Sequence, residues 1–415
     1  MSTTPTVTST IQEQEAQHVL QVYRRTPVVF ERGEGVHLFT GDGHKYLDFI
    51  SGVGVASLGH AHAGLAEAIA AQARTLLHTS NLFFHPLQAE VATALAARTG
   101  LDRAFFCNSG AEAVETCLKF ARRYWHSRGA TSRTKYVAFT HSFHGRTMGA
   151  LSVTWDEHYR GPFQPLLPQV VFADPADIAG FDAMVDDTTA AIIVEPIQGE
   201  GGVRPIPAAT AAAIEAACAR TGALLIADEV QSGSGRTGQF LYSGTLGLTP
   251  DLIALGKALG AGVPVGVAMF SNEVAAAAQP GDHGSTYGGN LLACRAALVF
   301  LEALDSPALA ASMAATSARL FAGLREMQSR LPVIRDVRGA GLFVGIDLTV
   351  DATPVVAAAF ERGLLINRTS STVVRLLPPY IITPEDVDAA LPLLEAAIVA
   401  ASGAQGTPRM SGGKA

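Results

Sequence analysis

The sequence predicts an α/β fold with a mostly parallel central sheet and a smaller α+β domain, and three observations carry that reading. Short apolar runs sit between turn signals at residues 135–139, 190–195, 223–228 and 251–255. Strands without polar alternation fit a parallel sheet covered on both faces. Ala-rich stretches with helical spacing, such as 209–220, lie between them, as in βαβ units. Near Pro307 the pattern changes to a long helix, then strands, then a closing helix.

The elements follow in order. Residues 1–15 are Thr-rich and polar, which predicts a mobile segment. They lack the basic start and apolar run of a secretion signal. Residues 16–58 are expected to pack with the C-terminal small domain, and 59–306 to form the large domain. Within it, DRAFFC reads as a strand leading into a helix over 111–123, with Val114, Leu118 and Ala121 on its apolar face. The small domain, 307–402, is expected to hold a helix over 312–331 and strands within 333–348, with Gly339 and Gly341 at a turn. A strand over 373–377 and a helix over 385–401 complete it. The tail, 403–415, is Gly-rich and reads as mobile.

Composition excludes several function classes. Apolar residues make up 48% and charged residues 16%, which favours a large buried core over disorder. A net charge of −7 gives no general reason to hold a phosphate backbone, so no nucleic-acid partner is expected. No apolar stretch approaches the length of a membrane span, so no membrane partner is expected either. Cys107, Cys117, Cys218 and Cys294 form no CxxC pair and no metal-site spacing. They read as buried thiols of a reducing compartment, which points to the cytoplasm.

Six stretches carry chemistry. Lys257 follows an apolar strand between Gly256 and Gly260. Burial would lower its pKa, and a neutral lysine is what imine chemistry needs; alone, it would read as a surface lysine on a turn. Asp228 closes the strand over 223–228 and would point into the crevice where open α/β sheets bind ligands. A protonated pyridine nitrogen would satisfy it and make the ring an electron sink, although a helix cap or salt bridge explains Asp228 alone equally well. Ser109, Gly110 and Ala111 open a helix whose N-terminal amides suit a phosphate. Phe143 could stack on a planar cofactor, and Arg146 could fork onto a substrate carboxylate. Their bland readings are core and a surface ion pair. His141 with His144, and His60 with His62, lack a third ligand, so no metal is expected. Glu195 and Glu200 could do acid–base work, or cap a helix and sit in an exposed turn. The loop 283–290 supplies hydroxyls on a flexible backbone.

Together these residues match a family. NSGAEA, SFHGRT, VEPIQGEGGV, LLIADEVQSGSGRTG, LGKALGAGVPVG, HGSTYGGN and VRLLPPYIIT occur in its order, over about residues 26–397. The chain resembles the class III, ω-amino-acid branch of the fold-type-I pyridoxal-phosphate aminotransferases. The resemblance implies that Lys257 carries pyridoxal 5′-phosphate and shuttles the reaction's proton, that Asp228 holds the ring nitrogen and that Gln231 contacts the ring hydroxyl. It places Phe143 on the ring and Ser109, Gly110 and Ala111 on the phosphate. Thr286 would reach that phosphate from a neighbouring subunit of a homodimer. Arg146 and Ser285 would contact substrate. Arg375 would bind the α-carboxylate of 2-oxoglutarate or glutamate, with Glu200 covering it between half-reactions.

Within the family, the chain is most similar to acetylornithine aminotransferases and their lysine-pathway counterpart, whose substrate is blocked by the carrier protein LysW. The stretch GRTMGALSVTWDEHYRGPFQPL looks closer to that counterpart. His37 and Val53 depart from the ornithine aminotransferase pattern, where an aromatic residue and a tyrosine stand. The expected activity is transfer of the terminal amino group of an N-blocked diamino acid to 2-oxoglutarate, in lysine or arginine biosynthesis. The alternatives are a 4-aminobutyrate- or ornithine-type ω-aminotransferase, an aminomutase or decarboxylase on the same cofactor, and a non-catalytic protein of similar fold.

Overall fold

The computed structural model describes residues 7–405. Residues 1–6 and 406–415, the outer parts of the two ends expected to be mobile, lie outside it; Val7–His18 form a helix. A seven-stranded sheet occupies the centre. Its order is Arg103–Cys107, Gly266–Phe270, Leu252–Leu255, Leu224–Asp228, Thr189–Val194, Lys135–Phe139 and Val170–Ala173. The last five strands of that order are parallel.

Gly266–Phe270 runs antiparallel to both neighbours and is absent from the sequence reading. The connection over 256–265 explains the reversal. It holds only a 3-10 turn, Lys257–Gly260, too short a link for the crossover that a parallel pair requires.

The sheet is covered on both faces, as its continuous apolar strands require. Alternate residues point to opposite sides. Tyr136, Ala138 and Ile193 pack with Val114, Cys117 and Ala121 of the helix Gly110–Ser127. Val137, Ile192 and Val194 pack with Ala211, Ile214 and Ala217 of Ala208–Thr221 on the other face.

The C-terminal part carries an antiparallel sheet of Ile334–Ala340, Phe343–Leu348, Val373–Leu376 and Asn367–Arg368. The long helix starts at Pro307, earlier than its periodicity predicts, because Ser306 accepts a capping bond from Leu309 N at 3.4 Å. N-terminal strands join this region directly: Leu47 pairs with Leu364 and Asp48 with Leu365 in parallel register. One core cluster runs from Leu47 and Phe49 through Leu255 and Phe300 to Ile346 and Leu394. Among the described residues, no single helix is long and apolar enough to cross a membrane.

The first of the two histidine pairs along the chain resolves as structure. His60 Nε2 lies 2.8 Å from Asp48 Oδ2, and His62 caps the helix Ala63–Thr75 by accepting from Leu65 N at 3.1 Å.

The packing around the start of the Gly110–Ser127 helix is glycine-dependent. A Cβ on Gly266 would fall inside the Ser109 carbonyl, and one on Gly256 would lie 3.3 Å from Gly110 Cα. Replacing Gly266 by Ala is expected to cost about 1–3 kcal/mol or more, as overpacking does. Denaturant melts check this; an unchanged midpoint would show that the strand and the Ser109 turn separate freely.

Candidate active site

The carboxyl ends of the parallel strands converge on one cavity of about 250 Å³, at the crevice where open α/β sheets place ligands. Asp228 ends the strand Leu224–Asp228, Glu195 follows Thr189–Val194, and Lys257 follows Leu252–Leu255 after Gly256. The helix Gly110–Ser127 begins at the same place. Arg375 arrives from the antiparallel sheet, within Val373–Leu376.

Asp228 is 5% exposed. Its Oδ2 lies 2.7 Å from His144 Nδ1, and its Oδ1 accepts from Val230 N at 3.1 Å. A carboxylate oxygen accepts, so the Nδ1 tautomer suits this pair. His144 Nε2 is buried without a partner, and so are both amide atoms of Gln231. Buried polar atoms almost always have partners, so these two side chains point to a polar ligand in the cavity they line.

Lys257 has φ +41°, the left-handed region, which a lysine adopts only where the surroundings hold it. Burial of the amine is the largest influence on it and lowers its pKa, against the opposing pull of Asp228 and Glu200. A larger neutral fraction follows, and the neutral amine is the nucleophile and base.

Ser109 caps its helix, accepting from Glu112 N at 3.2 Å, while Glu112 reaches back to Asn108 N at 2.5 Å. This reciprocal arrangement holds the first turn, whose free amides at Gly110 and Ala111 face the cavity. Phe143 is half-buried on the cavity wall. Arg146 is exposed and stacks on Tyr159, its guanidinium carbon 3.6 Å from the ring centroid.

Arg375 is 1% exposed, yet Nη1 meets Glu200 Oε1 at 2.7 Å, and Nε meets Asn367 Oδ1 at 3.4 Å. The Glu200 side chain is 35% exposed. A buried arginine left without an anion is strongly destabilised, so a carboxylate that displaces Glu200 must take its place. Because Glu200 has the wetter position, it is the partner able to leave.

Glu195 is no exposed cap. It is 6% exposed, accepting from Phe143 N at 2.8 Å and Gly199 N at 3.0 Å. Burial pushes its carboxyl up to about 7, partly offset by His144. It ties the Phe143 loop to the Gly199 turn.

The cavity thus brings together Gly110, Ala111, Phe143, Arg146, Glu200, Asp228, Gln231, Lys257 and Arg375. Ser109 stands behind it as the cap. Ser285 and Thr286 do not line it: Ser285 Oγ accepts from Asn108 Nδ2 at 3.3 Å and from Gly288 N at 3.0 Å, and Thr286 is exposed. Neither His37 nor Val53 lines it. The role of His144 escaped the sequence reading. No local signal marks it, because its partner Asp228 is far away in the chain.

A family model described as aminotransferase class-III matches residues 19–398. The acetylornithine aminotransferase of Archaeoglobus fulgidus is 45% identical over 382 residues, 92% of this chain and 98% of the relative. That of Gloeobacter violaceus is 43% identical over 388 residues, 93% and 97% of the two chains. Among solved structures, the ornithine aminotransferase of Toxoplasma gondii superposes with a TM-score of 0.91 at 32% identity, covering 96% of this chain and 97% of that one. The acetylornithine aminotransferase of Elizabethkingia anophelis gives 0.83 at 30% identity, covering 95% and 99%.

The Glu195 carboxyl supplies a pH test on the cofactor-free protein. Its folded value, about 7, lies above the ordinary 4.5, so the folded state holds the proton more tightly. Stability is therefore lost as pH rises from the ordinary value through the folded one. The gap in unfolding free energy between Glu195→Gln and wild type should shift in the variant's favour by on the order of 2–3 kcal/mol between about pH 5 and about pH 8. The lost acceptor adds only a pH-independent offset. Parallel curves from denaturant titrations would rule the effect out.

Proposed function

The chain belongs to the class-III aminotransferases, enzymes that depend on pyridoxal 5′-phosphate, and on that basis we propose that it moves the terminal amino group of an N-blocked diamino acid to 2-oxoglutarate. The observation that carries the two-substrate reading is the Arg375–Glu200 pair beside Lys257. A single buried arginine that is covered or bared serves an α-carboxylate in one half-reaction and a substrate without one at its reacting end in the other.

The residues fit the cofactor. Its phosphate suits the Gly110 and Ala111 amides and the Ser109 turn. The partnerless amide of Gln231 suits a ring oxygen, and Asp228, held by His144, suits a ring nitrogen that carries a proton. Phe143 offers a ring face. When bound, the cofactor supplies a carbonyl carbon for the amino group and a ring that withdraws electrons from the carbon being deprotonated. Lys257 Nζ takes the proton from that carbon and returns it. Asp228, fixed by His144, would lie opposite the ring nitrogen. The packed walls around Lys257 exclude water from the proton transfer.

Arg146 and Ser285 are assigned to the donor and Arg375 to the α-carboxylate of glutamate or 2-oxoglutarate. The acetylornithine aminotransferases at 45% and 43% identity support an N-blocked ornithine as donor. N-acetylornithine in arginine biosynthesis, and lysine or ornithine carried by LysW in lysine or arginine biosynthesis, are the donors to be compared.

A second copy completes the site in this reading. Leu82, Phe83 and Phe84 are 85%, 67% and 105% exposed. Asn81 ties this apolar segment to the Thr286 loop, donating to Ser285 O at 2.9 Å and Gly288 O at 3.0 Å. So large an apolar patch beside Thr286 suits a homodimer that brings Thr286 to the partner's phosphate site.

The test is the loss of the yellow absorbance of cofactor-loaded enzyme, with each donor offered separately. Bleaching by glutamate and by a blocked diamino acid, but weakly by free ornithine or 4-aminobutyrate, is expected. If glutamate and every donor leave the colour unchanged, the reading fails. Arg375→Ala should lower kcat/KM for glutamate about 10–100-fold through the lost charge-assisted bonds. The donor half-reaction should change far less; equal losses would refute the assignment. Phe84→Glu should shift the protein to monomer in sedimentation runs and lower activity with it. A fully active monomer would remove Thr286 from the site.

A further inference from the structure

Arg236 is fully buried, and among the described residues no carboxylate pairs with it. Its guanidinium carbon lies 4.5 Å from the centroid of the Tyr380 ring, and Nε and Nη2 are buried without hydrogen-bond partners. A charge in that position costs stability, and a well-packed apolar side chain would be tolerated more easily. What Arg236 holds explains its place.

Nη1 donates to Pro378 O at 2.5 Å and to Leu342 O at 3.3 Å, and the Arg236 carbonyl accepts from Leu342 N at 2.9 Å. Both partners sit at the end of the ladder that carries Arg375. Phe343–Leu348 pairs antiparallel with Val373–Leu376, with Val344 opposite Leu376 and Gly345 opposite Arg375. The same register places Leu342 opposite Pro378. Leu348 N donates to Thr372 O at 2.9 Å, so hydrogen-bonded rungs fall on that pair and on every second pair from it. Leu342 and Pro378 occupy such a position, but proline has no N–H to close the rung. Arg236 takes its place. The side chain donates to both carbonyls, and the backbone carbonyl takes the Leu342 N–H.

Arg236 belongs to the turn over 230–237, which also presents Gln231 to the cavity. That turn is firmly held. Glu229 accepts from Ser232 Oγ at 2.5 Å and from Ser243 N at 2.6 Å, and Tyr380 Oη donates to Ser234 O at 2.9 Å. We infer that Arg236 is a positioning residue: it fixes the strand bearing Arg375 against the turn bearing Gln231, and so sets the span between the carboxylate site and the cofactor site. The inference rests on the Arg375 assignment above. Glutamate must reach Arg375 and Lys257 at once, so slack between the two parts weakens it first. A donor that does not use Arg375 is spared.

The experiment measures bleaching of cofactor-loaded enzyme by glutamate and by N-acetylornithine. The proteins are wild type, Arg236→Met, Arg236→Lys, Arg375→Ala and the double variant of Arg236→Met with Arg375→Ala. Arg236→Met should raise the glutamate KM about 10-fold, change kcat less than about 3-fold and leave the N-acetylornithine KM within about 2-fold. Arg236→Lys should recover part of the loss, because its amine can still donate to the two carbonyls. In the Arg375→Ala background, Arg236→Met should add nothing to the glutamate defect, as when one residue acts through another. If Arg236→Met does not fold, Tyr380→Phe removes only the tether to Ser234 and should raise the glutamate KM about 2–10-fold. An unchanged KM there, equal losses on both substrates, or additive losses in the double variant overturn the inference. If Arg375→Ala itself leaves glutamate unaffected, the Arg375 assignment falls and the inference with it.

Discussion

Asp228, Glu195 and Arg375 all lie almost out of reach of water, and an ionisable group in that position is tolerated only with a partner or a shifted proton equilibrium. Each has a different solution. Asp228 takes His144, Arg375 takes Glu200, and Glu195 takes two backbone amides and a raised carboxyl pKa. Lys257 yields by lowering its pKa. The cavity is the region where these compensations meet, and its chemistry follows from how firmly each is held. The His144–Asp228 contact is sealed on both sides, so it is a fixed feature. The Arg375–Glu200 contact has one partner open to water.

That electrostatic arrangement depends on backbone geometry that has little slack. The sheet delivers Asp228, Glu195 and Lys257 to one edge because neighbouring strands are parallel and end together. Gly266 and Gly256 let the Lys257 connection and the start of the Gly110–Ser127 helix approach backbone to backbone. The same closeness aims the helix amides and the lysine amine into one small volume. Gly54, whose Cβ would press on the Gln231 amide, keeps that amide turned to the cavity.

Two chambers adjoin at this edge of the sheet. The Lys257 cavity is walled by buried groups, among which His144 Nε2 and the Gln231 amide are left for a ligand. The adjoining chamber, of about 460 Å³, is lined by Arg204, His141 and residues 369–372. Glu200 and Phe143 line both.

Much of this was legible in the chain, because some signals are local. Apolar runs ending in Asp228 or followed by Gly256–Lys257 announce strand ends, and Ser109-Gly110 before a helical period announces a cap. Element existence is therefore readable wherever burial imposes a period. The strand Gly266–Phe270 is buried on every residue, so no alternation marks it in the sequence, and its antiparallel direction follows from the brief link over 256–265. The helix start at Pro307 was displaced for a similar reason, since the cap precedes the periodic residues. By itself, the sequence determined the fold class and the family with its pyridoxal-phosphate dependence, and through that resemblance it anticipated the contact of Arg375 with Glu200. Tertiary structure alone decided that His144 secures Asp228, that Glu195 is buried against two backbone amides, and that Arg204 and residues 369–372 line one chamber. Those are contacts between residues far apart in the chain, created by packing, and no local pattern encodes them.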